Sequence, residues 1–213
     1  MTVWHYEAAL DDGTPYPTRN RLGDAQLREA VNPQTLGLSE ADSRAIAAAH
    51  ELGHAVVWMA GGFHVVTLGV GDAFGGHAEV ASAGRKATTT LFTGLAAGER
   101  AVDRWLRETG LWTPSLAAMA ELTAAHDRAA VFEMEPHPRP SFGDGPVDYS
   151  VLHDIADEAL DRVWAQVMTA LPTLIQAGRM TGDQLASHIA IPNPRKPKTC
   201  GSEKQTDTER TRP

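Results

Sequence analysis

The stretch between Ser39 and Gly62 constrains the fold most. Ser39 with Asp42 three residues on has the form of a capping box, and Gly61-Gly62 is a stop signal. "EADSRAIAAAHELGHAVVWMA" therefore reads as one helix over about 40–60. Ile46, Ala49, Leu52, Val56, Val57 and Met59 leave it little polar surface, so it is no ordinary helix with one solvated face. Its second half nevertheless carries His50, Glu51 and His54.

Other elements follow from spacing. "HVVTLGV" is β-branched and apolar, and "GGHAEVAS" can pair with it across a glycine-rich turn. A second helix is expected over about 87–108, where Gly94, Ala96, Ala97 and Gly98 let another helix come close. A third is expected over 113–130. A long helix from about Asp148 to Leu171 carries Val151, Leu152, Ile155, Ala156, Leu160, Val163, Trp164 and Val167 at helical spacing, and Pro172 is expected to end or kink it. "TLIQAGRM" and "TGDQLASHI" read as two short helical pieces, the second opened by a capping box of Thr181 and Gln184. Residues 1–38 read as an irregular N-terminal extension around one helical pattern, "GDAQLREAV". Residues 39–191 form one domain, and 192–213 read as a disordered polar tail. The fold class expected is mainly α with a small β-hairpin or sheet.

On a helix, residues four apart share a face, so His50 and His54 can offer imidazole nitrogens to one ion. Neutral imidazole binds zinc well, and a catalytic zinc site needs three protein ligands and an open position. Glu51, beside the pair, suits a general base. Zinc brings the pKa of its water toward neutrality, and a carboxylate takes the proton as a carbonyl is attacked. An H-E-x-x-H match arises by chance in roughly 2% of chains of this composition, and a capped apolar helix is a poor place for a chance one. Gly53 costs about 1 kcal/mol relative to alanine inside a helix, which implies close approach there by a strand or a substrate. Third-ligand candidates are His64, His77, Glu79, Glu99, His126, Asp144, Asp148, His153 and Asp154. His64, His77 and Tyr149 are also candidates to stabilise an oxyanion, against the plainer use of each as an ordinary surface residue. Trp58, Trp105 and Trp164 have core spacing, while Trp112 can line a cleft.

"HELGHAVV" resembles the H-E-A-G-H-A-V-V motif in the peptidase module of the FtsH-type membrane AAA proteases. "HVVTLGV" is similar to the strand bordering that module's cleft, and "LFTGLAAGERAVDRWL" to its A-G-x-x-A-E helix, with Val102 in place of the glutamate. "DGPVDYSVLHDIADEALDRVW" resembles the segment where an aspartate opens a long helix, and "LIQAGRMTGDQLASHI" the closing helices. The match covers about residues 43–190, and its zinc motif is the specific part. It implies a zincin-like active-site helix, a small edge sheet and a C-terminal helical bundle. It further implies Zn2+ held by His50, His54 and Asp148, with Glu51 as the base of a zinc-dependent metalloendopeptidase. The residues agree on Asp148, a carboxylate at a helix start after the "GDGPV" loop, though an N-cap is the commonest use of aspartate there. Two alternatives stand beside this. One is a regulatory protease of the ImmA/IrrE type, which also reads H-E-L-G-H. The other is a non-catalytic zinc-binding interaction protein on the same fold, against which an intact Glu51 argues.

The motor and anchor of those proteases have no counterpart here, since no G-x-x-x-x-G-K-[ST] and no apolar run of spanning length occur. The partners implied are a peptide or unfolded protein substrate, supplied through a separate ATPase or a homo-oligomer. A formal charge of −8 repels phosphate backbones and argues against nucleic-acid binding. The single cysteine, Cys200, can form neither an internal disulfide nor a thiolate zinc site. "MTVWHYEAALDDG" lacks a basic region followed by an apolar run, so no signal peptide and a cytoplasmic location are expected.

Overall fold

The computed structural model describes residues 3–9, 15–21, 37–71, 75–81, 89–134, 140–141 and 147–196. In chain order the elements are β1 (His5–Ala9), β2 (Pro15–Thr18), α1 (Glu40–Ala60), β3 (Val65–Val70), β4 (Gly76–Val80), α2 (Thr89–Thr109), α3 (Pro114–Thr123), α4 (Ala125–Met134), β5 (Pro140–Ser141), β6 (Val147–Asp148), α5 (Tyr149–Ala177), β7 (Arg179–Thr181) and α6 (Gly182–Ile189). The protein is mainly helical with small sheets, as the spacing predicts. Among the described residues no helix is long and apolar enough to cross a membrane.

α1 is the central element. The Ser39 hydroxyl accepts from the Asp42 amide at 3.0 Å and the Asp42 carboxylate accepts from the Ser39 amide, closing the box. Gly61 caps the other end, and Gly62 takes the left-handed backbone (φ +91) that glycine tolerates best. Every residue from Ala45 to Met59 is buried except the half-buried His50. α2 and α5 pack on this helix, and so does the antiparallel sheet of order β4-β3-β7. At Gly53 the close neighbour is α2, neither a strand nor a substrate. A β-carbon there would lie 2.6 Å from the Ala97 carbonyl oxygen and from the Ala101 side chain. The small residues of α2 are thus where the two helices meet.

Three segments depart from what spacing predicts. α5 runs through Pro172 to Ala177, because its apolar stripe continues as buried Ala170, Leu171 and Leu174. Each such leucine contributes about 1.5–3 kcal/mol, enough together to offset about 3 kcal/mol for an interior proline. The remainder of "TLIQAGRM" turns at Gly178 (φ +71) and becomes β7, pairing with β3 through Met180 and Leu68. The single helix expected over 113–130 divides at Ala124. There the Thr123 hydroxyl donates to the Ala120 carbonyl, the acceptor that the Ala124 amide needs to continue the helix, and that amide turns to Glu121.

The ends of the chain are also corrected. The extension expected to be irregular contains the β1–β2 hairpin, which the helices hold in place. Tyr16 donates to the Glu121 carbonyl and the Trp4 indole to Ser150, both at 2.7 Å. "GDAQLREAV" lies outside the described residues. At the other end, the tail is ordered as far as its first residues reach β3. The Asn193 amide group exchanges two 2.9 Å hydrogen bonds with the Val65 backbone, and the His64 ring bonds the Pro194 carbonyl.

Candidate metal centre

His50 and His54 point the same way from α1, and Asp127 of α4 meets them from 77 residues beyond His50. The His50 Nε2 and His54 Nε2 are 3.0 Å apart, and Asp127 Oδ2 lies 3.0 Å from the first and 3.3 Å from the second. Metal–ligand bonds of about 2.0–2.2 Å in tetrahedral array set ligand atoms roughly 3.3–3.6 Å apart, so this triangle needs only a few tenths of an ångström of opening. The tautomer fits as well. His54 Nδ1 sits 2.7 Å from the Gly94 carbonyl, which can only accept, so Nδ1 carries the hydrogen and in the neutral ring the Nε2 lone pair faces the cluster. Gly98 of α2 makes room for both rings, since a β-carbon there would stand 2.5 Å from His54 Nε2 and 2.9 Å from His50 Cε1. Trp58 stacks on the far side of His54 at 5.2 Å between ring centres. Two imidazoles and one carboxylate so arranged could hold a metal ion.

The electrostatics are those of a site built around positive charge. Burial opposes ionisation of His54, yet the adjoining Asp127 carboxylate pushes its pKa up to about 9. Burial would likewise raise Asp127, but His54 and His50 outweigh it and hold the carboxyl far below the usual range. Without a metal, then, a proton bridges the cluster, and a cation has to displace it.

Glu51 is buried beside this triangle, and burial pushes its carboxyl up against the partial opposition of His54 and His50. Gly76 of β4 covers it: a β-carbon on Gly76 would fall 2.5 Å from Glu51 Oε1. His50, Glu51, His54 and Asp127 all open into one cleft of ≈ 480 Å³, with Ile46, Trp58 and Leu95 as its apolar wall and Gly75–Ala78 as its rim. Among the described residues β4 is an edge strand, paired on one side by β3. The rim therefore presents backbone groups beside the carboxylate.

The other candidates fall elsewhere. Asp148 ends β6 just before α5, but its side chain lies outside the described residues, as does Asp144. His77 follows Gly76 on the cleft rim with its ring over Gly69, outside the ligand triangle but near enough to Glu51 to oppose in part the rise of its carboxyl. Glu79 is exposed on β4, and His64 is engaged with Pro194. His126 is exposed on the cleft wall next to Asp127. Tyr149 is buried beneath α4, its ring 5.1 Å from the Arg128 guanidinium. Asp154 is exposed near Arg19. Trp112 leaves the cleft to receive Arg107 over its ring and to donate to Asp103.

Glu99 and His153 are buried and bonded to each other, with Arg128 completing the group. Burial would raise Glu99, yet Arg128 and His153 keep its carboxyl ionised. Burial lowers the His153 pKa to about 4 against the pull of Glu99. Asp127 is the residue that sequence reasoning missed. Its one local signal is a carboxylate among small residues in "TAAHDRAAV", next to the candidate His126. No protein-family model matches this chain, and no curated protein matches its sequence.

Proposed function

We propose that this chain is a zinc-dependent metalloendopeptidase, with His50, His54 and Asp127 holding the metal and Glu51 as general base. The observation that carries the reading is the buried carboxyl of Glu51 beside the ligand triangle, both open to one cleft. A metal that only braced a fold would need neither the carboxyl nor the opening. When bound by His50, His54 and Asp127, a zinc ion would supply Lewis acidity toward a peptide carbonyl and an attacking water. Glu51 accepts the proton of the attacking water as the new C–O bond forms, then delivers it to the amide nitrogen as the C–N bond breaks. Its pKa, raised by burial, brings acceptance and return of the proton closer to balance at neutral pH. The rim at Gly75–Ala78 suits a substrate in extended form, hydrogen-bonded along the β4 edge. An extended, unfolded peptide is therefore the substrate class, and the chain's single cysteine fits work in the cytoplasm.

The experiment compares zinc content and cleavage of casein or a quenched peptide in wild type and Glu51→Gln. Zinc retained at the wild-type level with cleavage lost supports the assignment. Cleavage undiminished in Glu51→Gln, or a wild type that binds no zinc, overturns it.

A further inference from the structure

Asp127 and Arg128 are neighbours on α4, a helix of 10 residues. Of the side chains described on it, those buried are Arg128 and Val131, which share one face with Ala124 just before the helix. The large anchor of that face is a charged side chain with 1% exposure. Its partners come from elements far apart in sequence. Nε and Nη2 meet the two Glu99 carboxylate oxygens of α2 at 3.3 and 2.6 Å, and Nη1 donates to the Pro17 carbonyl of β2 at 2.5 Å. Tyr16, Tyr149 and Trp4 surround the guanidinium at 4.5, 5.1 and 5.6 Å. His153 of α5 bonds the other side of Glu99.

The register of these contacts matters. Glu99 directly follows Gly98, against which the His50 and His54 rings rest, and Arg128 directly follows Asp127. Two consecutive residues of α2 therefore bear on two consecutive residues of α4, Gly98 by way of the His50 and His54 rings that Asp127 meets and Glu99 directly on Arg128. One pairing frames the ligand triangle and the other is the bidentate Arg128–Glu99 ion pair. Successive helical residues point about 100° apart, so fixing the direction of Arg128 fixes the direction of Asp127.

We propose that Arg128 is the positioning residue of the metal centre, and that the N-terminal hairpin belongs to the site because it closes the Arg128 pocket through Pro17 and Tyr16. The proposal rests on the metal-site reading of His50, His54 and Asp127. Lysine in place of Arg128 keeps the charge but loses the planar fork that engages Glu99 and Pro17 together. Tyr16→Leu keeps apolar volume but removes the hydroxyl bond to Glu121 and the ring over the guanidinium.

The test uses the full chain and two readouts, the Zn2+ dissociation constant by chelator competition and the visible absorption of the Co2+ form. Arg128→Lys is expected to weaken Zn2+ binding by about 10–100-fold and to change the Co2+ spectrum, with Tyr16→Leu acting in the same direction. Leu160→Ala is the control, since that residue is buried on α5 about two turns beyond His153 and should lower the melting temperature with affinity and spectrum unchanged. If Arg128→Lys does not fold, Tyr16→Leu decides by the same readouts. Unchanged affinity and spectrum in the folded variant, or an equal loss in Leu160→Ala, overturns the positioning role. A wild type without Zn2+ or Co2+ binding overturns the metal site itself, a distinct outcome.

Discussion

Gly76 of β4 lies directly over the Glu51 carboxyl, so that a β-carbon at position 76 would stand 2.5 Å from Oε1 and 2.7 Å from Cγ. Position 76 thus admits no side chain while Glu51 keeps its place. Gly76→Ala is expected to push the carboxyl aside and reduce peptide cleavage about 100-fold, the scale of an ångström's misplacement in a catalytic group. Zn2+ affinity should stay at the wild-type level, because neither ligating ring is displaced. Parallel measurement of both quantities checks this, and a parallel loss of zinc contradicts it.

Asp127→Ala is expected to lower Zn2+ affinity by more than about 100-fold, beyond the range seen for residues that merely support a ligand. Asp148→Ala, at the end of β6 just before α5, is the comparison that chooses between the two carboxylates. Calorimetric titration of both variants reads the answer, and a larger loss in Asp148→Ala transfers the third-ligand role to that residue.

The metal-free protein should lose stability as pH rises from 6.5 to about 9. His54 has its pKa raised from 6.5 to about 9 in the fold, so its pairing with Asp127 stabilises fully below 6.5 and fades as the proton leaves. Asp127 is shifted the other way, from 3.8 downward, so its contribution is present above 3.8 and is lost only on strong acidification. Zn2+ affinity should rise across the 6.5–9 window as the competing proton departs. Melting temperatures of chelator-treated protein over that range test the sign, and a flat profile rules out the ion pair.

Gly53→Ala sets two effects against each other. Helix propensity favours alanine by about 1 kcal/mol. The added carbon meets the Ala97 carbonyl and the Ala101 side chain at 2.6 Å, and overpacking of a tight contact costs about 1–3 kcal/mol. Neither obstacle can swing away, since one is backbone and the other a β-carbon. The clash should win, and urea denaturation should show a net loss of up to about 2 kcal/mol.

The motif helix was legible because its signals are local. The capping box at Ser39, the stop at Gly61-Gly62 and the ligand pair one turn apart all act within a few residues of themselves. The same holds for the β3–β4 hairpin and the capping box at Thr181. Where a local signal met an opposing tertiary one, it lost. Pro172 is spanned because buried leucines lie on both sides of it, and Thr123 breaks a helix that periodicity alone would continue.

The sequence by itself determined that α1 exists, that it is buried, and that it carries two imidazoles and a carboxyl on adjoining faces. The carboxylate that joins the two imidazoles was decided by tertiary structure. Asp127 reaches His50 across 77 residues because Arg128, its neighbour, is locked to Glu99 and to the Pro17 carbonyl. No spacing rule contains that information. It depends on the rotation of α4 about its own axis, which is set by an ion pair between helices and by a hairpin from the far end of the chain.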